Sequence, residues 1–132
     1  MSLSRTLSFG PLRIAYDDRV LEPRPWTFAQ SQWAAEILRD TPPGPILELC
    51  SGAGQIGLAA ALLTGRDVVL VDASEAACEI SVRNAADAGL GGRVEVRLDG
   101  CQASFEIIQL AGSGRRSARP STSAYVRNSG SQ

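Results

Sequence analysis

Short apolar runs and turn residues divide the chain, which has 132 residues, into alternating elements. Ile46 to Leu49 reads as a buried strand. Val68-Val69-Leu70-Val71 is continuously apolar, as expected of a strand covered on both faces. Val94, Val96 and Leu98 alternate with Glu95 and Arg97 and predict a third strand over 93–98. Between these runs the period changes. Gln55 to Thr64 is rich in alanine and leucine and stops at Gly65, a natural helix terminator. Ala77, Ile80, Asn84 and Ala88 mark a small-residue face on a helix over about 74–88, closed by Gly89. Asp72-Ala73-Ser74-Glu75 matches a capping box with Asp72 as the cap. Upstream, Phe28, Trp33, Ile37 and Leu38 recur at helical spacing. They predict a covering helix from Thr27 to Arg39 with aromatic core contacts. Strand, helix, strand, helix, strand in that order predicts a parallel α/β sheet with right-handed crossovers.

The first strand runs into Glu48-Leu49-Cys50-Ser51-Gly52-Ala53-Gly54-Gln55-Ile56-Gly57-Leu58. A strand, a glycine turn and a helix make a nucleotide-type site, because glycines let backbone approach a ligand closely. Gly52, Gly54 and Gly57 also satisfy G-x-G-x-x-G, a weak signal alone. Three acids sharpen it: Glu48, Asp72 and Asp99 each close a strand, and such strand ends converge on one crevice. Those carboxylates suit a ligand with an amine, a ribose diol and an exocyclic amino group. They suit a pyrophosphate poorly, since Glu48 repels it at the helix N-terminus that attracts it. Asp72 lies 20 residues past Gly52, where a carboxylate accepts from ribose hydroxyls. Asp99 is placed to accept from an adenine amino group, or is a simple turn aspartate.

These motifs resemble the class I S-adenosylmethionine-dependent methyltransferases, within them the small-domain, glutamine-N5-methyltransferase-like branch. Glu48 to Gly54 is similar to the first motif, Asp/Glu-x-Gly-x-Gly-x-Gly, with Cys50 in place of a glycine. Val71-Asp72-Ala73-Ser74 is similar to the second. Asn84-Ala85, Gly89-Leu90 and Arg93-Val94 resemble the helix and strand that follow. The resemblance covers roughly residues 20–100. It implies a Rossmann-like fold, S-adenosyl-L-methionine as cofactor, and cofactor contacts from Glu48, Leu49, Cys50, Ser51, Gly52, Gly54, Asp72, Ala73, Asp99 and Gly100. Pro23-Arg24-Pro25-Trp26-Thr27 resembles a lead-in that lies against the cofactor, which puts Arg24 and Thr27 near its methionine end. It also implies N-methylation of a protein glutamine or a similar planar nitrogen, with a protein or RNA substrate.

Composition narrows the chemistry further. There is no histidine, so histidine triads, histidine proton shuttles and the usual zinc sites are excluded. Cys50, Cys78 and Cys101 form no C-x-x-C pair and read as thiols in a reducing compartment. No metal site and no catalytic residue is expected. Methyl transfer tolerates that, because a sulfonium is already an activated electrophile and catalysis is largely positioning. No apolar run approaches a membrane span, Met1 to Phe9 lacks a signal-peptide layout, and the expected location is cytoplasmic.

Three segments are expected: an N-terminal extension or hairpin over 1–22 with Leu12 to Ala15 as a strand, a cofactor-binding half-domain over 23–110, and a disordered basic tail over 111–132. The tail is rich in Gly, Ser and Arg and lacks periodicity. The branch places Asn/Asp-Pro-Pro-Tyr after its fourth strand to hold the substrate nitrogen, and the sequence has no such motif. That predicts a truncated or frameshifted chain, lost after about Gly100, with little activity alone. Two other classes stay open: a fragment of an NAD-dependent oxidoreductase, and a non-catalytic nucleotide- or RNA-binding module.

Overall fold

A computed structural model describes residues 4–99 and the backbone of 124–127. The chain opens on an antiparallel hairpin, β1 (Arg5–Phe9) and β2 (Leu12–Tyr16), with Phe9 opposite Leu12. A 3-10 turn at Pro25–Thr27 leads into α1 (Phe28–Arg39). Then follow β3 (Ile46–Leu49), α2 (Gln55–Thr64), β4 (Val68–Asp72), α3 (Glu75–Asp87) and β5 (Val94–Leu98). A last strand, β6, is Ala124–Arg127.

The main sheet has the order β5-β4-β3-β6 and is parallel at each pairing. Glu48 pairs with Leu70 and Asp72 with Leu98, so the C-terminal ends of β3, β4 and β5 lie on one side. The expected parallel strands are therefore present at their expected places. The tail reading is corrected in one stretch. Tyr125 and Val126 are good strand formers, and the free edge of β3 pairs with them. The rest of 111–132 lies outside the described residues, as does Gly100.

Ile46, Val68 and Leu70 of the sheet bury against Ile56, Leu58 and Ala59 to Ala61 of α2, all at most 1% exposed. Serine and alanine bring α1 close to α2: Ser31 and Ala34 are buried, and Ser31 Oγ donates to the Ile56 carbonyl at 2.8 Å. That corrects the reading of the α1 face. Trp33 and Ile37 are 65% and 48% exposed, because the alanine-rich surface of α2 accepts small side chains. The hairpin joins through Phe9, whose ring meets Phe28 edge-on with centroids 5.7 Å apart.

The two ends of the α1–α2 pair differ. Ser31, near the start of α1, meets Ile56 at the start of α2, whereas Arg66, just past α2, bonds the Leu38 and Thr41 carbonyls. The helices thus run in the same direction. Arg66 also donates to the carbonyls of Pro42 and Gly44 and to Thr41 Oγ1. One guanidinium fork satisfies the carbonyls of the proline-rich connector, which has few other partners. The opposite end carries the glycine loop.

Candidate functional site

The loop between β3 and α2 turns through left-handed backbone. Cys50 has φ of 56°, Gly52 58° and Gly54 87°. A left-handed conformation favours glycine, so Cys50 occupies a glycine position at a cost of about 1 kcal/mol. Among the described residues it is the one non-glycine with positive φ. Gly54 is also crowded: a Cβ there would lie 3.0 Å from Ser81 Oγ and 3.1 Å from Leu70 Cδ1.

Side chains of α3 hold the loop in place. Ser81 Oγ donates to the Gly52 carbonyl at 2.8 Å, and Asn84 Nδ2 donates to the Ala53 carbonyl at 2.8 Å. Both are fully buried. Asp72 completes the support, accepting from the Gly52 N–H and the Ser74 N–H, each at 2.9 Å. One carboxylate oxygen serves each bond, and about two of its lone-pair sites stay available. The α3 cap is Ser74, which accepts from the Ala77 N–H, and not Asp72 as the capping-box pattern suggested. The helix starts at Glu75, so Asp72 lies two residues before the cap and its Oδ1 accepts from the cap's own N–H.

Asp99 follows directly. Its N–H donates to the Asp72 carbonyl at 3.0 Å, which sets the two acids on neighbouring strand ends. Cys78 of α3 reports their joint field: burial pushes its thiol up, and the charges of Asp72, Asp99 and Glu75 push the same way.

Glu48 is placed differently. It pairs with Leu70, two residues short of Asp72, and is fully buried. A Cβ on Gly57 of α2 would lie 3.1 Å from Glu48 Oε1 and 2.5 Å from Leu70 Cδ2, so glycine there makes room for the carboxyl. Neither Glu48 oxygen has a hydrogen-bond partner among the described residues, nor do the buried Ser51 Oγ and Gln55 Oε1. Burial raises the Glu48 pKa to about 8; the Gly57 N–H lowers it, short of a well-formed bond, and the Asp72 charge adds a smaller push upward. The expected row of three acids thus becomes two acids at the strand ends and one set deeper against α2.

Arg24 and Thr27 precede α1 and so sit at the loop end of the α1–α2 pair. Thr27 Oγ1 donates to the Arg24 carbonyl at 2.7 Å, and the Arg24 guanidinium lies 5.8 Å from the Trp26 ring centroid. Of the other residues named from the sequence, Leu49 is half-buried, Ser51 buried, and Cys50 and Ala73 exposed.

No family model matches the chain. Over 64 residues it is 39% identical to the ribosomal protein L11 methyltransferase of Syntrophotalea carbinolica, a match spanning 47% of this chain and 21% of that protein. The solved structure of an S-adenosylmethionine-dependent methyltransferase from Agrobacterium tumefaciens superposes with a TM-score of 0.69 at 22% identity, over 86% of this chain and 37% of that one. The chain has the class I methyltransferase fold. A solved protein of Pyrococcus horikoshii shares that fold, with a TM-score of 0.63 at 13% identity over 77% of this chain and 38% of that one. The chain thus spans about a fifth of the curated relative and under two fifths of each solved chain.

Within this methyltransferase fold, sequence reasoning missed Ser81 and the loop-holding role of Asn84. Their signal was faint: two polar residues on the otherwise small, apolar face of α3. Among the described residues no group of acids and cysteines could hold a metal ion, and no helix is long and apolar enough to cross a membrane.

Proposed function

We propose that this chain is the cofactor-binding part of an S-adenosylmethionine-dependent methyltransferase acting on a planar nitrogen of a protein, such as a glutamine amide. The observation that carries the reading is the set of buried polar atoms on Glu48, Ser51 and Gln55, unpartnered among the described residues, beside a left-handed glycine loop. Buried polar groups are rarely left unpaired, and those that are point to a missing partner. S-adenosylmethionine fits the donor set: it has an ammonium group and ribose hydroxyls that need acceptors, and no pyrophosphate for Glu48 to repel.

In this reading Glu48 holds the ammonium group, Asp72 the ribose hydroxyls and Asp99 the adenine amino group. The backbone of Leu49 to Gly54, with Ala73, forms the walls, and Arg24 and Thr27 lie at the methionine end. When bound, the cofactor supplies an electrophilic methyl group on a sulfonium. The residues of this chain bind and orient; no base is needed from them. The protein-methyltransferase name of the 39% relative supports a protein over an RNA substrate. The described residues hold no Asn/Asp-Pro-Pro-Tyr segment, nor does the sequence, so the chain is expected to transfer little by itself.

A methyl-transfer assay with radiolabelled cofactor tests this, run on the chain alone and on a fusion to a substrate half carrying that motif. Binding of cofactor with transfer only by the fusion is expected. Transfer at equal rates by both would refute the need for a second half.

A further inference from the structure

The fold takes the Glu48 carboxyl out of water and, among the described residues, gives it no well-formed hydrogen bond. The same short segment, 48–55, leaves Ser51 Oγ and Gln55 Oε1 equally unpartnered. A neutral carboxyl tolerates such a site far better than a charged one. Burial accordingly raises its pKa to about 8, so Glu48 keeps its proton at neutral pH. A bound ammonium group has the opposite requirement, because it is stabilised by a carboxylate and not by a carboxylic acid.

We propose that cofactor binding is proton-linked, the ammonium group of the ligand taking the place of the proton on Glu48. The proposal rests on the reading of this loop as an S-adenosylmethionine site. The exchange balances: the carboxyl O–H breaks, the proton leaves to water, and a carboxylate oxygen accepts from the ammonium N–H. One positive charge leaves the buried site as one enters. The low-dielectric surroundings therefore never hold an uncompensated carboxylate.

The neighbours leave Glu48 as the responsive group. Among the described residues, the charge that acts on it is that of Asp72 on β4. From α2 comes Gly57, where an added Cβ would lie 3.1 Å from Glu48 Oε1, and glycine does not titrate.

The consequence is an affinity that rises with pH. Below a pKa of about 8, each unit of pH changes the ionised fraction of Glu48 up to tenfold. The amino group of the ligand stays protonated below neutral pH, so the informative window is about pH 5.5 to 7.

The test is calorimetric titration of the 132-residue chain with S-adenosylhomocysteine across that window, in two buffers of different ionisation heat. Wild type is expected to bind nearly tenfold more tightly per pH unit and to release close to one proton. E48Q, confirmed as folded by circular dichroism, is expected to bind more weakly at neutral pH with no pH slope. A flat wild-type affinity without proton release overturns the linkage and leaves the site reading standing. E48Q with the wild-type slope also overturns it. No binding at any pH by a folded chain removes the site reading and the linkage together.

Discussion

Asn84 and Ala15, 69 positions apart in sequence, are joined by two hydrogen bonds. The Asn84 carbonyl oxygen accepts from the Ala15 N–H at 2.8 Å, and its amide nitrogen donates to the Ala15 carbonyl at 2.9 Å. The second amide proton goes to Ala53 in the glycine loop. One buried side chain therefore imitates a strand edge for β2 and fixes the loop. Asn84→Ala leaves three buried backbone groups unpaired and is expected to cost about 3 kcal/mol in urea denaturation. Asn84→Asp is expected to cost at least as much, since a carboxylate has no protons for the Ala15 and Ala53 carbonyls.

Cys50 holds a left-handed backbone that glycine adopts without strain. Cys50→Gly is expected to raise stability by up to about 1 kcal/mol, relieved strain being partly offset by the greater freedom of the unfolded chain. Cys50→Val, with a branched Cβ at positive φ, is expected to lose about 1–2 kcal/mol. Equal melting temperatures for the two variants would contradict the strain.

A Cβ on Gly57 would lie 2.5 Å from Leu70 Cδ2, closer than a Cβ tolerates, and a tight 3.1 Å from Glu48 Oε1. Gly57→Ala should push α2 off the sheet, at a cost of about 1–3 kcal/mol. The same change at Gly65, where a Cβ meets nothing within 4 Å, disturbs packing nowhere; its cost is that of the left-handed cap alone.

The Glu48 carboxyl links stability to pH. Its folded pKa of about 8 lies above its ordinary value of 4.5, so the native chain holds a proton that the unfolded chain has lost between those values. Its contribution is fully present below about pH 4.5 and is lost as pH rises towards 8, by of the order of 3 kcal/mol at pH 7. E48Q removes this dependence. Denaturation at about pH 5 and pH 7.5 is expected to show E48Q gaining on wild type as pH rises; a constant difference would contradict it.

The sheet was legible because its strands are apolar runs bounded by Gly, Pro or an acid, and because a glycine ends α2. Ile46–Leu49 and Gln55–Thr64 fall where the pattern put them. What was not legible depended on partners distant in sequence. Trp33 and Ile37 look like core residues until the alanine surface of α2 is seen to prefer Ser31 and Ala34. Asp72 looks like a cap until α3 is seen to start at Glu75, two residues later than an Asp72 cap requires. The depth of Glu48 follows from Gly57, nine positions on, and local pattern carries no trace of it. β6 was hidden because four residues inside a Gly-, Ser- and Arg-rich stretch pair only once β3 offers an edge.

The central claim is that the Glu48–Gly54 loop and Asp72 bind S-adenosylmethionine and not a dinucleotide. Its most direct test is equilibrium binding of S-adenosylhomocysteine and of NAD to the wild-type chain and to Asp72→Ala at neutral pH. S-adenosylhomocysteine is expected to bind in the high micromolar range, about −5 to −6 kcal/mol, with NAD weaker. Asp72→Ala is expected to lose about 1.5–3 kcal/mol of that binding, through the ribose and the freed Gly52 amide. NAD binding at least as tightly, or an unchanged affinity in the variant, would contradict the account.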